Sequence, residues 1–181
     1  MKKIILSMLF VFAAITASAQ VYVGGAISWT HNDANKSNTF LLAPEVGYNF
    51  NEMWGVGVEL AYIHTKNVTF DGTGIDAKGN GFVFAPYGRC YFFKKKIVRL
   101  FLDGGLGIST FRVKGADKND NGFEVGFKPG IAFNVTDHLS LEAKYGFLGY
   151  RDQYMGAGVN HSVSGLDFDP NSLGFSIKYE F

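Results

Sequence analysis

The sequence predicts an all-β protein: an eight-stranded antiparallel up-and-down transmembrane β-barrel. Three observations predict it. Eight stretches alternate large apolar with small or polar side chains, each about ten residues long, the length a tilted strand needs to cross a bilayer. The connections between them are alternately short and long. The composition is poor in charge and rich in rings, with 18% charged residues, 16% aromatic residues and 23 Gly. Ordinary soluble domains carry roughly 25% charge. Aromatics favour strands, and Gly serves the bends and close approaches within them.

The N-terminus reads separately. Lys2 and Lys3 precede the apolar run "IILSMLFVFAAI", and Ala17-Ser18-Ala19 follows as a small-x-small site. This is the pattern of a secretory signal peptide cut after Ala19, and the run is too short for the roughly 20 residues of a spanning helix. The predicted organisation is a signal peptide over 1–19 and an outer-membrane barrel domain over 20–181. Removing Lys2 and Lys3 from the 17 basic residues leaves 15 against 16 acidic ones. That balance gives no electrostatic footprint for nucleic acid. The single cysteine, Cys90, falls on an apolar strand face, where it acts as a small hydrophobe.

The strands follow in order. "VYVGGAISWT" sets Val21, Val23, Ile27 and Trp29 against Tyr22, Gly24, Ala26 and Ser28. "FLLAPEVGYNF" sets Phe40, Leu42, Val46, Tyr48 and Phe50 against Leu41, Ala43, Glu45, Gly47 and Asn49. "WGVGVELAYIHT" sets Trp54, Val56, Val58, Leu60 and Tyr62 against Gly55, Gly57, Glu59, Ala61 and Ile63. "FVFAPYGRCYF" sets Phe82, Phe84, Cys90 and Phe92 against Val83, Ala85, Tyr87, Arg89 and Tyr91. "VRLFLDGGLGIST" sets Val98, Leu100, Leu102, Leu106 and Ile108 against Arg99, Phe101, Asp103 and Ser109. "FEVGFKPGIAFNV" sets Phe123, Val125, Phe127, Ile131 and Phe133 against Glu124, Gly126, Lys128, Gly130 and Ala132. "LSLEAKYGFLGY" sets Leu139, Leu141, Ala143, Tyr145 and Phe147 against Ser140, Glu142, Lys144, Gly146 and Leu148. "SLGFSIKYEF" sets Leu173, Phe175, Ile177, Tyr179 and Phe181 against Gly174, Ser176, Lys178 and Glu180.

"NEM", "KKK" and "TDH" join alternate pairs of strands, whereas "HNDANKSN", "KNVTFDGTGIDAKGN", "RVKGADKNDNG" and "RDQYMGAGVNHSVSGLDFDPNS" join the others. In outer-membrane barrels the short turns are periplasmic and the long loops extracellular, so an even strand number puts both termini in the periplasm. The apolar face carries no charge within the strands, and the other face carries Glu45, Glu59, Arg89, Arg99, Asp103, Glu124, Lys128, Glu142, Lys144, Lys178 and Glu180. A barrel of eight strands is just wide enough for side chains to fill, so the apolar face must meet lipid and the charges must lie inside. An unpaired buried charge is very costly, which predicts an interior ionic network drawn from Glu45, Glu59, Arg89, Asp103, Glu124, Lys128, Glu142 and Lys144. Depth along the strands puts Arg89 and Lys128 at its centre, with Glu45, Glu59, Asp103 and Glu124 as partners. Phe50, Trp54, Phe92, Tyr179 and Phe181 form an aromatic girdle at one rim, with Trp29 and Tyr62 at the other. The last strand does not fray, because it must pair with the first to close the barrel.

With that pattern, and with "FSIKYEF" at the end, the chain resembles the small outer-membrane β-barrel family of the OmpA/OmpX type, in its outer membrane protein beta-barrel domain form. The resemblance covers Gln20 to Phe181. It implies that Tyr179 and Phe181 form a signal read by the barrel-insertion machinery, and that the surrounding partner is outer-membrane lipid. It assigns no activity, because members of the family do different things.

Other motifs carry less. "DKNDNG", Asp117 to Gly122, matches the first half of a calcium loop, but Lys128 stands where the loop needs Glu, and a plain turn explains the segment. His138, Ser140 and Glu142 share a strand face, as a base, nucleophile and orienter would. Their place at the periplasmic end, facing inward, favours a polar lining over a catalytic site. His31, His64 and His161 lie in or beside three different long loops. No motif calls for a cofactor or metal. The function expected is therefore a structural or surface-interaction barrel, with an unknown extracellular ligand at four polar loops where Phe168 is the most conspicuous aromatic. A narrow pore for small solutes or ions is the first alternative, and a lipid-modifying enzyme the second.

Overall fold

The computed structural model describes residues 21–32, 37–66, 69–70, 73–74, 78–114, 119–156, 162–168 and 173–181. The predicted signal peptide, 1–19, lies outside them. The strands are β1 (Val21–Asn32), β2 (Ser37–Asn49), β3 (Trp54–Lys66), β4 (Thr69–Phe70), β5 (Thr73–Gly74), β6 (Lys78–Lys94), β7 (Val98–Val113), β8 (Asp120–Asn134), β9 (Leu139–Lys144), β10 (Phe147–Asp152), β11 (Ser162–Asp167) and β12 (Gly174–Glu180). β4 and β5 form a small ladder of their own within one long connection. The rest make one closed antiparallel barrel of eight staves. β1, β2, β3, β6, β7 and β8 are one stave each; β9 with β10 is the seventh, and β11 with β12 the eighth. β12 closes the ring by pairing with both β1 and β9.

The short turns are built by their own sequences. Asn51 Oδ1 accepts the amides of Met53 at 2.8 Å and Trp54 at 2.9 Å. Thr136 Oγ1 accepts those of His138 at 3.2 Å and Leu139 at 2.9 Å. Lys95 and Val98 exchange backbone bonds in the third. Asx and Thr turns of this kind hold a hairpin without Gly.

The alternation sets the two faces. Ile27, Leu60, Phe82, Ile108 and Phe175 are exposed on the outside, while Arg89, Tyr22, Phe101, Lys178 and Glu142 are fully buried within. This inverts a soluble protein, as a bilayer requires. Phe50, Trp54, Phe92 and Tyr179 are exposed toward the short-turn end, and Trp29 toward the other. Tyr62 is half-buried against Phe82, ring centroids 5.1 Å apart.

The sequence expectations are corrected in two respects, the extent of the strands and the facing of one of them. The strands run past the bilayer span, reaching 17 residues in β6. The segment 151–172, read as one long loop, contains β11, which pairs with β10 from Phe147↔Asp167 to Asp152↔Ser162. The second correction concerns Phe147, expected to face lipid. It is 1% exposed and points inward, while Leu148 is 49% exposed. The cause is Gly146, whose φ of 86° lies in the left-handed region. The ladder with β8 slips by one residue there, from Gly130↔Lys144 to Leu148↔Phe127. A one-residue slip turns every later side chain to the opposite face. Arg151 is carried inward by the same slip.

Candidate functional site

The barrel interior is the site. Arg89, on β6, is wholly buried. Its Nε donates to Asp103 Oδ1 at 2.6 Å and its Nη2 to Asp103 Oδ2 at 2.8 Å, a bidentate pair across the β6–β7 ladder where the two residues are register partners. Its Nη1 donates to Glu142 at 2.8 and 2.9 Å. The guanidinium lies 4.0 Å from the Phe101 ring centroid. Planar, always charged and able to stack, Arg suits this position better than Lys.

Toward the short-turn end, Lys178 Nζ donates to Tyr91 at 2.7 Å and sits 2.8 Å from Glu142 and 3.3 Å from Glu180. Arg99 pairs with Glu180 at 2.8 Å. On the other side of Arg89, the Tyr22 and Tyr87 hydroxyls meet at 2.9 Å, and Tyr87 donates to Glu45 at 3.1 Å. Lys144 lies 3.3 Å from Asp103, 3.5 Å from Glu45 and 3.7 Å from Glu59. Nearer the long connections, Lys128 pairs with Glu124, which also accepts Arg151 at 3.0 Å. Above that lies an apolar cluster of Ala43, Ala61, Ile63, Val83, Ala85, Phe111, Val113 and Tyr154.

These contacts cross the lumen. Lys144 on the seventh stave reaches Glu59 on the third, and Lys178 on the eighth reaches Tyr91 on the fourth. In a ring of eight, four staves apart is diametrically opposite. Inward glycines make the room. A Cβ at Gly57 would stand 2.6 Å from both the Tyr22 hydroxyl and the Tyr87 ring.

Tyr154 belongs to a 3-10 turn, Tyr154–Gly156, that folds from the last long connection into the barrel mouth. Its ring occupies space left by Gly107, and Gly122 receives the backbone of Gln153 and Tyr154. The Met155 amide donates to Ser109 Oγ at 2.9 Å. Gln153 and Met155 have φ of 48° and 65°, a backbone region that costs non-glycine residues energy, so tertiary contacts hold the turn.

All eight residues expected in the network face the lumen, but not as one centre. Arg89, Asp103, Glu142, Lys144, Glu45 and Glu59 come together, whereas Lys128 and Glu124 form a separate cluster with Arg151. Sequence reasoning left Lys178, Glu180 and Arg99 out of the network, although the alternation put them on the inward face. It missed Arg151 because of the slip at Gly146; the clue was the large apolar pair Leu148 and Tyr150 on an otherwise small and polar face. It also passed over the phenols of Tyr22, Tyr87 and Tyr91, which alternate with the apolar residues in the same way.

The His138, Ser140 and Glu142 set is not assembled. The His138 ring stacks on Tyr179 at 5.8 Å and its Nδ1 lies 2.8 Å from the Glu180 carbonyl, while Ser140 Oγ has no hydrogen-bond partner. His64 Nδ1 lies 2.7 Å from Asn80 Oδ1. Among the described residues no group of three or more His, Cys, Asp or Glu is placed to hold a metal. Asp117 of the calcium-like segment and His161 lie outside the described residues.

The family model described as outer membrane protein beta-barrel domain matches residues 4–181. The chain belongs to that family. It is an integral β-barrel of the bacterial outer membrane. Solved structures agree on the fold. Neisserial surface protein A is similar with a TM-score of 0.54 at 18% identity, over 91% of this chain and 98% of that one. Ail, the attachment invasion locus protein of Yersinia pestis, in complex with the heparin analogue sucrose octasulfate, is similar with a TM-score of 0.51 at 18% identity, over 90% and 97%. The Ail backbone structure in a phospholipid nanodisc gives 0.51 at 18% identity, over 91% and 100%. No curated protein sequence matches the chain.

Proposed function

We propose that this outer-membrane barrel is a closed, rigid body whose work is done at its long connections. The observation that carries the reading is the set of contacts bridging opposite walls: Lys144 with Glu59 at 3.7 Å and Lys178 with Tyr91 at 2.7 Å. Buried charges held this way are satisfied by each other rather than by a column of water, so they act as a plug. The turn at Tyr154 adds an apolar stopper at the mouth. In this reading the signal peptide 1–19 directs export, both termini are periplasmic, and Tyr179 and Phe181 mark the chain for insertion.

The ligand at the long connections is extracellular. Phe168, expected at that surface, sits away from it at mid-strand depth on the outer wall, beside Leu102, Phe127 and Pro129, its ring 5.6 Å from Tyr145, whose hydroxyl donates to the Phe168 carbonyl at 2.8 Å. Against the lipid-modifying alternative stands the dispersed His138, Ser140 and Glu142 set. The test is solute flux. Proteoliposomes containing the refolded chain, shown folded by gel mobility, are expected not to swell in isosmotic small sugars. Swelling at rates typical of an open pore would replace this reading with the narrow-pore alternative.

A further inference from the structure

The outer wall carries a cationic row that the barrel itself does not explain. Lys66 on β3 is the register partner of Lys78 on β6. On the far side of β6, the Lys114 amide bonds the Lys78 carbonyl at 2.8 Å, which sets Lys114 opposite Lys78 on β7. One row nearer the membrane centre, Arg112 is the partner of Asn80. These side chains alternate with the buried Ile63, Gly79, Phe111 and Val113, so all four cations point outward, and all are exposed. Like charges placed directly opposite on neighbouring strands are destabilising. No Asp or Glu stands on the outward face of β2, β3, β6, β7 or β8, and among the described residues none of the four cations is ion-paired to a carboxylate.

Directly beneath lies a concave apolar surface. A groove of about 800 Å³ runs across β2, β3, β6, β7 and β8, lined by Leu42, Leu60, Phe82, Phe84, Ile108 and Phe123. Between groove and cations is a polar shelf. The Tyr62 hydroxyl and His64 Nδ1 both meet Asn80 Oδ1, at 3.0 and 2.7 Å, which leaves the Asn80 amide nitrogen as a further outward donor. From the groove outward the order is therefore apolar, hydrogen-bonding, cationic. That is the order of a lipid lying along the wall: acyl chains, glycosidic or ester oxygens, phosphate.

Size narrows the occupant. Strands are about 4.8 Å apart, so the three lysines span roughly 10 Å, and Arg112 lies about 7 Å further along the strand direction. One phosphodiester covers a single gap in such a row, whereas two phosphates on one headgroup cover it all. The five-strand width of the groove likewise suits several acyl chains. We propose that Lys66, Lys78, Lys114 and Arg112, with the groove below them, form a binding site for a lipid carrying two phosphates on one headgroup. The orientation proposed above puts the site in the outer leaflet. Binding in micelles depends on neither that orientation nor a closed lumen, so failure of either leaves this test intact.

The test is equilibrium binding to the refolded chain in zwitterionic micelles at low salt, using diphosphoryl lipid A and its dephosphorylated form as probes. The wild-type barrel is expected to bind the diphosphoryl form at least tenfold more tightly, an advantage that shrinks as salt rises. K66Q/K78Q/K114Q is expected to lose that advantage, and R112Q part of it, while both bind the dephosphorylated form as wild type does. K94Q/K95Q/K96Q, which removes as much charge at the short-turn end, is expected to bind as wild type. Thermal midpoints give a second reading. Without lipid the triple Gln variant should unfold at or above the wild-type temperature, since like-charge repulsion is relieved, and only wild type should rise further on adding diphosphoryl lipid. Equal binding of the two probes by wild type, or undiminished binding by the triple variant, overturns the site. Equal loss in the short-turn control makes it a general charge effect. Phosphatidylglycerol binding as tightly rules out the two-phosphate headgroup, and full competition by equimolar inorganic pyrophosphate rules out a lipid as the occupant.

Discussion

Replacing Arg89 with Ala probes the interior most sharply. The substitution removes the bidentate pair to Asp103 and the bond to Glu142, whose carboxylates are 4% and 1% exposed. Neither is left alone. Asp103 keeps Lys144 at 3.3 Å, and Glu142 keeps Lys178 at 2.8 Å. Breaking a buried pair by removing one partner costs about 3–5 kcal/mol. Two pairs break here, but each carboxylate retains a cation, so the expected loss stays near that range rather than doubling it. The stacking on Phe101 is lost as well and adds about 1 kcal/mol. The assay is urea unfolding in liposomes, followed by gel mobility and by the fluorescence of Trp29 and Trp54. In a cycle with Glu142→Ala, the coupling between the two residues should exceed about 1 kcal/mol, as for directly bonded partners. A loss for Arg89→Ala below about 1 kcal/mol would refute the reasoning, because it would mean that water already solvates these carboxylates.

Other expectations concern space and satisfaction. Gly57→Ala sets a methyl against the Tyr22 and Tyr87 hydroxyls, and overpacking of this kind should cost about 1–3 kcal/mol in the same unfolding assay. Ser140→Ala removes a buried hydroxyl that has no hydrogen-bond partner, so stability should be unchanged or rise by up to about 1 kcal/mol. Tyr154→Ala empties the recess at Gly107 and frees the strained turn, so limited proteolysis should cut the connection after β10 several-fold faster while the barrel core stays protected.

Most of the fold is legible in the sequence because a bilayer imposes a strict rule. Lipid on one side and a packed polar lumen on the other leave each strand position one allowed face, so period-two alternation reads as topology. Short turns such as "NEM" and "TDH" carry their own capping side chains, Asn51 and Thr136. What escapes is what breaks the period. Gly146 looks like any other inward glycine, yet its positive φ reverses the faces of Phe147, Leu148 and Arg151. The segment from Ser162 to Asp167 reads as a loop because Ser162, Ser164, Gly165 and Asp167 leave it no apolar alternation, although it pairs fully with β10. In the lumen, alternation shows which charges point inward but not which meet. Pairing depends on how far each stave is staggered against its opposite, and that is why Lys128 falls in with Glu124 and Arg151 rather than with Arg89.

The central claim is that ion pairs spanning the lumen close the barrel. Its most direct test is single-channel recording of the chain from Gln20 to Phe181, refolded into planar bilayers and shown folded by gel mobility. The account predicts a silent membrane for wild type. It also predicts silence for Arg89→Ala, in which the Tyr22–Tyr87 contact and the reach of Lys144 still cross the lumen. Discrete, reproducible openings in the wild-type barrel would contradict it.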